Sequence, residues 1–461
     1  MRPKQVMPMM KDNLLKKVGA FDEGSLFFRI GARINLLIFC ACLCACATVS
    51  PVMNQPISST SEHINTAVFS PDDSTLLILT FSGGGVRAAA LSYGVLKGLR
   101  DIQLQRRKAN TLLDEVDIIS SVSGGSFTAA YYGLFGRGIF EDYEKDFLKR
   151  RVESEVIRNW LLSPANWNKL GSPEFNRTDL VAEYYDEHIF DNRTFANMRT
   201  DMPVIIINTT DISTGTLFAF TPDNMQWICS DLRSYPVSRA VAASAAVPGV
   251  FSPITLENHS GCPVDIKKTN NVEVIKLQDK SRYPYLHLVD GGIVDNLGIR
   301  SLLRIAEIEH NDLSAMLKKY QLKGIKQVAF IVVDAADEIL PRIAQTPQEP
   351  SAADTINAVA TIRSKRYNAD TMRLLKAQIE RWKKQPASRY CHKKKGCRPI
   401  DFHLIYLELQ ELPKLLADEV SLYKTALELP EQQVDTLIKA GRYLLLHNKD
   451  FRHLLKSMSV E

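Results

Sequence analysis

Residues 76–87, Leu-Leu-Ile-Leu-Thr-Phe-Ser-Gly-Gly-Gly-Val-Arg, join a short apolar run to three consecutive glycines. The run has the length of a buried β-strand, and Leu91, Val95 and Leu99 then recur at helical spacing. Backbone N–H groups at such a strand–helix junction can bind an anion. Because no Gly-Lys-Ser/Thr follows the glycines, an oxyanion is favoured over the phosphate of a P-loop. A turn with only a structural role is the alternative.

Further short apolar runs alternate with helical segments along the chain. They are Val116–Ile119, Val204–Thr209, Leu286–Val289, Val328–Asp334 and Leu404–Leu409. This alternation predicts an α/β fold in which a mostly parallel sheet is covered by helices on both faces. Ser351–Trp382 predicts a long helix, and Pro430 introduces a closing helix.

A second strand–helix junction contains a serine. Residues 121–125, Ser-Val-Ser-Gly-Gly, follow the run that starts at Val116. The pattern resembles a nucleophile elbow, in which a tight turn exposes a serine hydroxyl at the end of a strand. Ser121 stands where the usual Gly-x-Ser-x-Gly pattern has glycine. We predict Ser123 as the nucleophile, with a tight turn lacking any chemistry as the alternative.

A third junction places a carboxylate beside two glycines, in residues 288–292, Leu-Val-Asp-Gly-Gly. Sites in such sheets form at the carboxyl ends of strands, so Asp290 and Ser123 are expected to share one site. The serine needs a base, which a histidine or a carboxylate can supply. His287 lies three residues before Asp290 on the predicted strand and therefore on the opposite face. Since the later histidines lack a distinctive context, a Ser123–Asp290 dyad is the simplest assignment.

The composition is that of an enzyme-sized soluble body. The chain has 461 residues, of which 45% are hydrophobic and 24% charged, and this excludes a disordered, collagen-like or polytopic membrane protein. The formal net charge is +5, but residues 1–45 hold an excess of basic side chains and leave the remainder nearly neutral. We therefore expect no nucleic-acid partner.

The N-terminus indicates export. Basic residues precede an apolar run over Ile34–Val49, as in a signal peptide. The run contains residues 43–46, Leu-Cys-Ala-Cys, which resemble a bacterial lipobox with Cys46 as the lipidated residue. Ala47 follows, as in lipoproteins sent to an outer membrane, so we expect a membrane-anchored lipoprotein facing the periplasm. A retained N-terminal transmembrane anchor and a cleaved ordinary signal are the alternatives.

The composition then divides the chain into four parts. We expect a signal and lipobox region over residues 1–46, a flexible tether over 47–74, a catalytic domain over 75–340 and a mostly helical region over 341–461 that packs on it. Export permits disulfides in the body, where four cysteines allow three pairings. A zinc site is the rival interpretation of these cysteines, which are Cys229, Cys262, Cys391 and Cys397.

The three junctions, in the order Gly-Gly-Gly-x-Arg, Ser-x-Ser-Gly-Gly and Asp-Gly-Gly, resemble the patatin-like phospholipase family. Residues 243–253, Ala-Ser-Ala-Ala-Val-Pro-Gly-Val-Phe-Ser-Pro, and residues 290–296, Asp-Gly-Gly-Ile-Val-Asp-Asn, match two further family motifs. The resemblance covers about residues 76–335. Gly298 is a departure, because the family commonly has proline at this position.

The resemblance implies a three-layer α/β/α fold and a lipid acyl hydrolase of phospholipase A or lysophospholipase type, without a metal or organic cofactor. Ser123 would attack the ester carbonyl, and Asp290 would act as the base. The oxyanion hole would consist of backbone N–H groups of Gly83, Gly84 and Gly85. The expected partner is a membrane phospholipid or a related acyl lipid.

Arg87 matches the family's arginine and would either brace the glycine loop or meet a headgroup phosphate. Two rival interpretations of the whole chain are a serine hydrolase of a non-lipid ester or amide and a noncatalytic lipid-binding scaffold. The basic helix over Ser351–Trp382 is expected to have a solvated face, with contact to anionic headgroups as the alternative. The aromatic segment Tyr143–Tyr185 is a candidate lid.

Overall fold

The structure is a computed structural model that describes residues 53–57, 74–104, 111–157, 162–201, 203–262, 272–336, 347–387 and 398–458. The predicted signal and lipobox region, including Cys46, lies outside the described residues, as do Cys391 and Cys397. In the part of the chain that is described, no helix has both the length and the apolar character needed to cross a membrane.

One sheet of eight strands organises the described residues. The strands are β1 (Thr75–Phe81), β2 (Val116–Val122), β3 (Val204–Asp211), β4 (Thr216–Phe220), β5 (Ile254–Glu257), β6 (Tyr285–Asp290), β7 (Gln327–Asp334) and β8 (Asp401–Glu408). Their order is β5-β6-β3-β2-β1-β7-β8, and β4 pairs with β3. Five neighbouring strands from β3 to β8 are parallel, whereas the β3–β4, β3–β6 and β5–β6 pairs are antiparallel. The predicted α/β fold with a mostly parallel sheet is confirmed.

Helices connect and cover these strands. They are α1 (Gly85–Arg100), α2 (Gly124–Phe135), α3 (Ile139–Tyr143), α4 (Val152–Glu155), α5 (Trp167–Leu170), α6 (Arg177–His188), α7 (Pro222–Trp227), α8 (Val237–Ser244), α9 (Val272–Gln278), α10 (Arg300–Ile308), α11 (Leu313–Lys319), α12 (Ala352–Lys383), α13 (Lys414–Val420), α14 (Glu431–His447) and α15 (Lys449–Ser457).

Side chains of β1 alternate between two apolar cores. Leu77, Leu79 and Phe81 belong to a core shared with α1, α2 and α14. Leu76 and Ile78 belong to a second core shared with α10 and α12. Successive strand residues point to opposite faces of a sheet, so helices cover both faces and the fold has three layers.

Two strands, β4 and β5, have no counterpart in the sequence prediction. β5 has four residues, and β4 has five and follows β3 after a four-residue turn. Runs this short carry too few residues to show a period. The six predicted strands are all present, with ends that differ by at most three residues.

The basic helix is α12, and it buries one apolar face in the second core. Met372, Leu375, Ile379 and Trp382 are buried, whereas Arg373 is exposed. The segment Tyr143–Tyr185 likewise packs aromatic side chains into the first core: the Phe127 ring of α2 stacks on Phe147 with centroids 4.2 Å apart. These aromatic residues therefore support the helix that follows Ser123.

The C-terminal part of the chain is tied to the first helix. It supplies β8 to the sheet, and α14 packs across α1. A Cβ atom on Gly94 of α1 would collide with the Ile438 carbonyl, and one on Gly441 of α14 would collide with the Leu91 carbonyl. The two helices thus approach so closely that only glycine fits at the crossing.

The predicted tether is interrupted by a docked segment. Asn54 is 2% exposed, and its side chain donates to the Glu257 carbonyl and accepts from the Glu257 N–H, both at 2.8 Å. The Ile57 N–H donates to the carbonyl of Cys229 at 2.9 Å, and Cys229 forms a disulfide with Cys262. Residues 53–57 therefore correct the flexible span expected over 47–74, because the Asn54 side chain binds the backbone of Glu257 in β5 and Pro56 forms a β-bridge with Ser230.

Candidate active site

Two strand ends meet along one edge of β3. β2 is parallel to β3, and its last residue, Val122, pairs with Asn208. β6 is antiparallel to β3, and its last residue, Asp290, pairs with the next β3 residue, Thr209. β4 occupies the other edge of β3 at this level. The carboxyl ends of β2 and β6 therefore point at each other and bring Ser123, the residue after Val122, to Asp290.

Ser123 has the backbone of a nucleophile elbow. Its φ is 50° and its ψ is −121°, a region that serine adopts only when the surrounding structure enforces it. The glycines that follow allow the bend to pack tightly. A Cβ atom on Gly124 would collide with the Gly85 carbonyl, and one on Gly125 would lie 2.7 Å from the Phe81 Cβ. The elbow is thus pressed against β1 and the glycine loop.

Asp290 is a buried carboxyl group beside the serine. It is 7% exposed, and its Oδ1 accepts the Gly292 N–H at 2.7 Å. Burial raises the pKa of Asp290 to about 6, while hydrogen bonds from the Ser123 side chain and the Gly292 backbone lower this pKa. At pH 7 the carboxyl group is therefore mostly ionised, as a base must be.

One of the three glycines predicted to donate to an oxyanion already has a backbone acceptor. The Gly83 N–H donates to the Asn296 carbonyl at 3.1 Å, so this group is engaged and does not face an oxyanion. Gly84 is the N-cap of α1 and Gly85 its first residue, and the first N–H groups of a helix have no acceptor within that helix. Gly84 and Gly85 therefore remain as the candidate oxyanion donors.

Arg87 lies inside the protein and bonds to the C-terminal part of the chain. It is 2% exposed, and its Nη1 donates to the Tyr423 carbonyl at 3.1 Å. Burial raises the pKa of Asp334, and the positive charge of Arg87 is among the effects that lower it. Of the two roles considered for Arg87, this placement favours bracing the loop over contact with a headgroup phosphate.

Ser244 holds the elbow, a role that no sequence pattern indicated. Its Oγ accepts the Ser123 N–H at 2.8 Å and donates to the Asn208 carbonyl at 2.7 Å. The Ser126 hydroxyl lies 3.0 Å away. Ser244 thus fixes the backbone of Ser123 to β3. The available signal was its position in the motif of residues 243–253.

The Asp-Asn part of the third motif shapes the surrounding turn. Asp295 is buried and accepts the Arg300 N–H at 2.6 Å, where α10 begins. Asn296 holds Gly83 through its carbonyl. Gly298 has a φ of +70°, whereas proline is restricted to a φ near −65°. The departure from the family's proline therefore matches the local backbone.

Two other sequence observations concern residues that point away from the site. The Ser121 hydroxyl donates to the Ile206 carbonyl at 3.0 Å, so the change from glycine is accommodated within the sheet. The Nδ1 of His287 lies 3.0 Å from the Thr255 hydroxyl. As expected from strand alternation, His287 and Asp290 do not share a face.

The site lies in the part of the chain that matches a known family. The sequence model described as Patatin-like phospholipase matches residues 79–303, a span that includes Ser123, Asp290 and the glycine loop. Residues 79–303 belong to the patatin-like phospholipase family. The patatin-like phospholipases are a family of serine ester hydrolases.

Solved structures similar to this chain include human GIVD cytosolic phospholipase A2, at 14% identity and a TM-score of 0.45, over 84% of this chain and 62% of that chain. VipD from Legionella pneumophila is similar at 12% identity and a TM-score of 0.31, over 84% of this chain and 67% of that chain. The chain thus spans less than two thirds of the length of the human protein. No curated protein matches the sequence significantly.

The first prediction concerns pH. Asp290 accepts a proton only when ionised, so kcat/KM should rise with pH through about 6 and fall roughly tenfold for each pH unit below that. The pKa of Asp290 is raised from 3.8 to about 6 in the folded protein. Its ionisation therefore lowers the free energy of unfolding as the pH rises from 3.8 to about 6. Asp290→Asn should therefore be inactive yet at least as stable as the parent at pH 7. Initial rates on a soluble ester and thermal unfolding measure both quantities, and a flat rate profile between pH 5 and pH 7 would contradict the assignment.

The second prediction concerns Ser244. Ser244→Ala removes the acceptor for the Ser123 N–H, so kcat should fall on the order of tenfold, the equivalent of one hydrogen bond in the transition state. KM and the apparent pKa of the rate profile should not change, because neither the substrate nor Asp290 is touched. Ser121→Ala is the matched control, since Ser121 is equally buried but bonds only to the sheet. Equal losses of kcat in both variants would refute a positioning role.

Proposed function

We propose that this protein is a lipid acyl hydrolase of phospholipase A or lysophospholipase type that works by a Ser123–Asp290 dyad. The observation that carries the proposal is the buried contact between the elbow serine and an aspartate with a pKa of about 6. The family match supports the substrate class, because patatin-like phospholipases hydrolyse acyl esters of lipids.

In the acylation step, the Ser123 Oγ bonds to the ester carbonyl carbon and its proton passes to Asp290. The carbonyl oxygen becomes an oxyanion that accepts hydrogen bonds from the Gly84 and Gly85 N–H groups. One such donor typically contributes about 2.7–4 kcal/mol of transition-state stabilisation. The ester C–O bond then breaks, and Asp290 returns the proton to the departing alcohol, which is the lysolipid.

In the deacylation step, water takes the place of the alcohol. Asp290 accepts one proton from the water, and the oxygen of that water attacks the acyl carbon. The second tetrahedral intermediate uses the same donors of the glycine loop, since the oxyanion forms at the same place. Its collapse breaks the bond to Ser123, the proton returns to the serine oxygen, and the free fatty acid leaves.

An apolar loop beside Asp290 supports an acyl substrate. The Asp290 N–H donates to the Ala246 carbonyl at 2.9 Å, and the chain then continues through Val247 and Val250. The side chains of Val247 and Val250 are 45% and 58% exposed. Apolar groups next to the base suit a hydrocarbon chain, because both lose contact with water when they meet.

We also propose that the protein is exported and held at the membrane by a lipid on Cys46. The lipobox-like sequence at residues 43–46 supports this location. The disulfide between Cys229 and Cys262 is consistent with an oxidising compartment such as the periplasm. A tethered enzyme meets lipid at a high effective concentration.

The third prediction tests the nucleophile. A fluorophosphonate probe should label the parent at Ser123, and vesicles of mixed phospholipids should release free fatty acid, with or without a chelator. Ser123→Ala should lose both signals, with residual release at least about a thousandfold lower, whereas Ser121→Ala should keep both. Persistent lipid hydrolysis by folded Ser123→Ala would overturn the proposal. Labelling without release would indicate a non-lipid ester or amide substrate, and neither signal in the parent would indicate a scaffold.

The fourth prediction tests the anchor. A bacterium that expresses the full chain and is fed an alkyne fatty acid should attach the label to the parent, and the protein should fractionate with the outer membrane. Cys46→Ser should lose the label, while Cys44→Ser should keep it. Membrane association without any label would instead support the retained transmembrane anchor.

A further inference from the structure

Four exposed apolar side chains lie on segments that adjoin one another, and we call this set the apolar rim. Ile212 is 52% exposed, Val272 65%, Ile275 48% and Tyr285 48%. Single exposed apolar residues are ordinary on protein surfaces. What sets the rim apart is that its members lie on neighbouring segments at one end of the sheet.

The rim lies beyond the active-site end of the sheet. β6 pairs with β3 only from Leu288 to Asp290, so its first residues extend past the carboxyl end of β3. Tyr285 is the first residue of β6 and Asp290 the last. Five residues of strand span roughly 17 Å, so Tyr285 lies about that far from the catalytic base, on the side towards which β2 points.

Hydrogen bonds join the segments that carry the rim. The Ile212 N–H donates to the His287 carbonyl at 3.0 Å, which places Ile212 beside β6. The Lys276 Nζ donates to the Thr214 carbonyl at 3.3 Å, which places α9 beside the β3–β4 turn. Val272 and Lys276 share one face of α9, because residues four apart are helical neighbours. The segments that carry the rim therefore adjoin one another from β6 through the turn to α9.

The docked N-terminal segment lies next to the same rim. Tyr285 pairs with Glu257 of β5, and Glu257 holds Asn54 through two hydrogen bonds. The Asn54 backbone is thus separated from that of Tyr285 by one strand spacing of roughly 5 Å and by one hydrogen-bonded side chain. Cys46 precedes Asn54 by eight residues, which reach at most about 28 Å.

We propose that the apolar rim is the surface on which the domain rests on a phospholipid bilayer. This proposal rests on the proposed function, since it supposes a membrane substrate. Either a lipid on Cys46 or a retained apolar anchor before Val49 places the bilayer within reach of Asn54, and the docked segment then keeps Tyr285 on the near side. The tether thereby sets which face of the enzyme meets the membrane as well as how close the enzyme stays.

The rim also determines how the substrate reaches the dyad. The site lies about 17 Å below Tyr285, so the dyad cannot touch an ester that remains at its usual depth in a flat bilayer. A lipid must rise partly out of the membrane along the β6 side to reach Ser123. A rim seated in the headgroup layer shortens that path.

Tryptophan quenching tests the orientation directly. Tyr285→Trp and Ile212→Trp are made in the full chain and reconstituted in phosphatidylcholine and phosphatidylglycerol vesicles that contain brominated acyl chains. The control is Leu374→Trp, at a position that is 49% exposed. Leu374 is on α12 between Asn368 and Trp382. Asn368 bonds to Asp334 at the carboxyl end of β7, and Trp382 stacks on Phe402 at the start of β8. Leu374 is therefore displaced from the carboxyl end of the sheet.

We expect bromolipid to remove at least a third of the fluorescence added by Tyr285→Trp and Ile212→Trp, relative to the parent, and to leave that added by Leu374→Trp unchanged. Equal quenching at all three positions, or none at Tyr285 and Ile212, overturns the proposal. The readout requires no catalysis, so it holds or fails independently of the proposed function.

A second variant links the rim to turnover. Ile212→Ser combined with Tyr285→Ser should lower hydrolysis of vesicle phospholipid about tenfold and leave hydrolysis of a soluble short-chain ester unchanged. Asn54→Ala should also lower the vesicle rate and leave the soluble-ester rate unchanged, because the docked segment is released. If the variants hydrolyse vesicle phospholipid as fast as the parent, the rim is refuted. If the parent itself does not hydrolyse the soluble ester, the dyad is refuted.

Discussion

The meeting of β2 and β6 along one edge of β3 is the constraint on which the site depends. Val122 and Asp290 pair with consecutive residues of β3, so neither strand can lengthen without displacing the other. A slip of one residue in either pairing would turn the side chains to the opposite face. Asn208 secures the junction: its side chain donates to the Ser120 hydroxyl at 2.9 Å and to the Ser121 carbonyl at 3.0 Å. The distance between nucleophile and base is thus fixed by sheet register.

This arrangement holds two unfavourable features in place. The positive φ of Ser123 costs about 1–3 kcal/mol, and the ionised Asp290 is buried. Ser244 fixes the N–H of Ser123, and the Ser126 N–H donates to the Ser123 carbonyl at 2.9 Å. Because the two apolar cores pack against both faces of the sheet, the strain does not relax, and the serine hydroxyl remains directed at the carboxylate.

The parts of the fold and site that could be predicted from the sequence are those determined by residues close together in the chain. Strand β1, the elbow at Ser123 and the carboxylate at Asp290 each follow from a run and its adjoining glycines. The acceptor of Gly83, the support from Ser244 and the docking of Asn54 each join residues more than a hundred positions apart. No local pattern records such contacts. The short strands β4 and β5 were not predicted for a related reason. Their pairing with β3 and β6, rather than their own periodicity, makes them strands.

The C-terminal contacts that hold the glycine loop affect when the site can form. The Val86 N–H donates to the Ala426 carbonyl at 2.9 Å, and Arg87 donates to Tyr423. A ribosome therefore makes the loop more than 300 residues before the acceptors that hold it. β7 and β8, which complete the sheet beside β1, also lie beyond the family match that ends at residue 303. A chain that has not reached Ala426 lacks these contacts, so we expect the proposed hydrolysis to begin only after that part of the polypeptide has been made and folded.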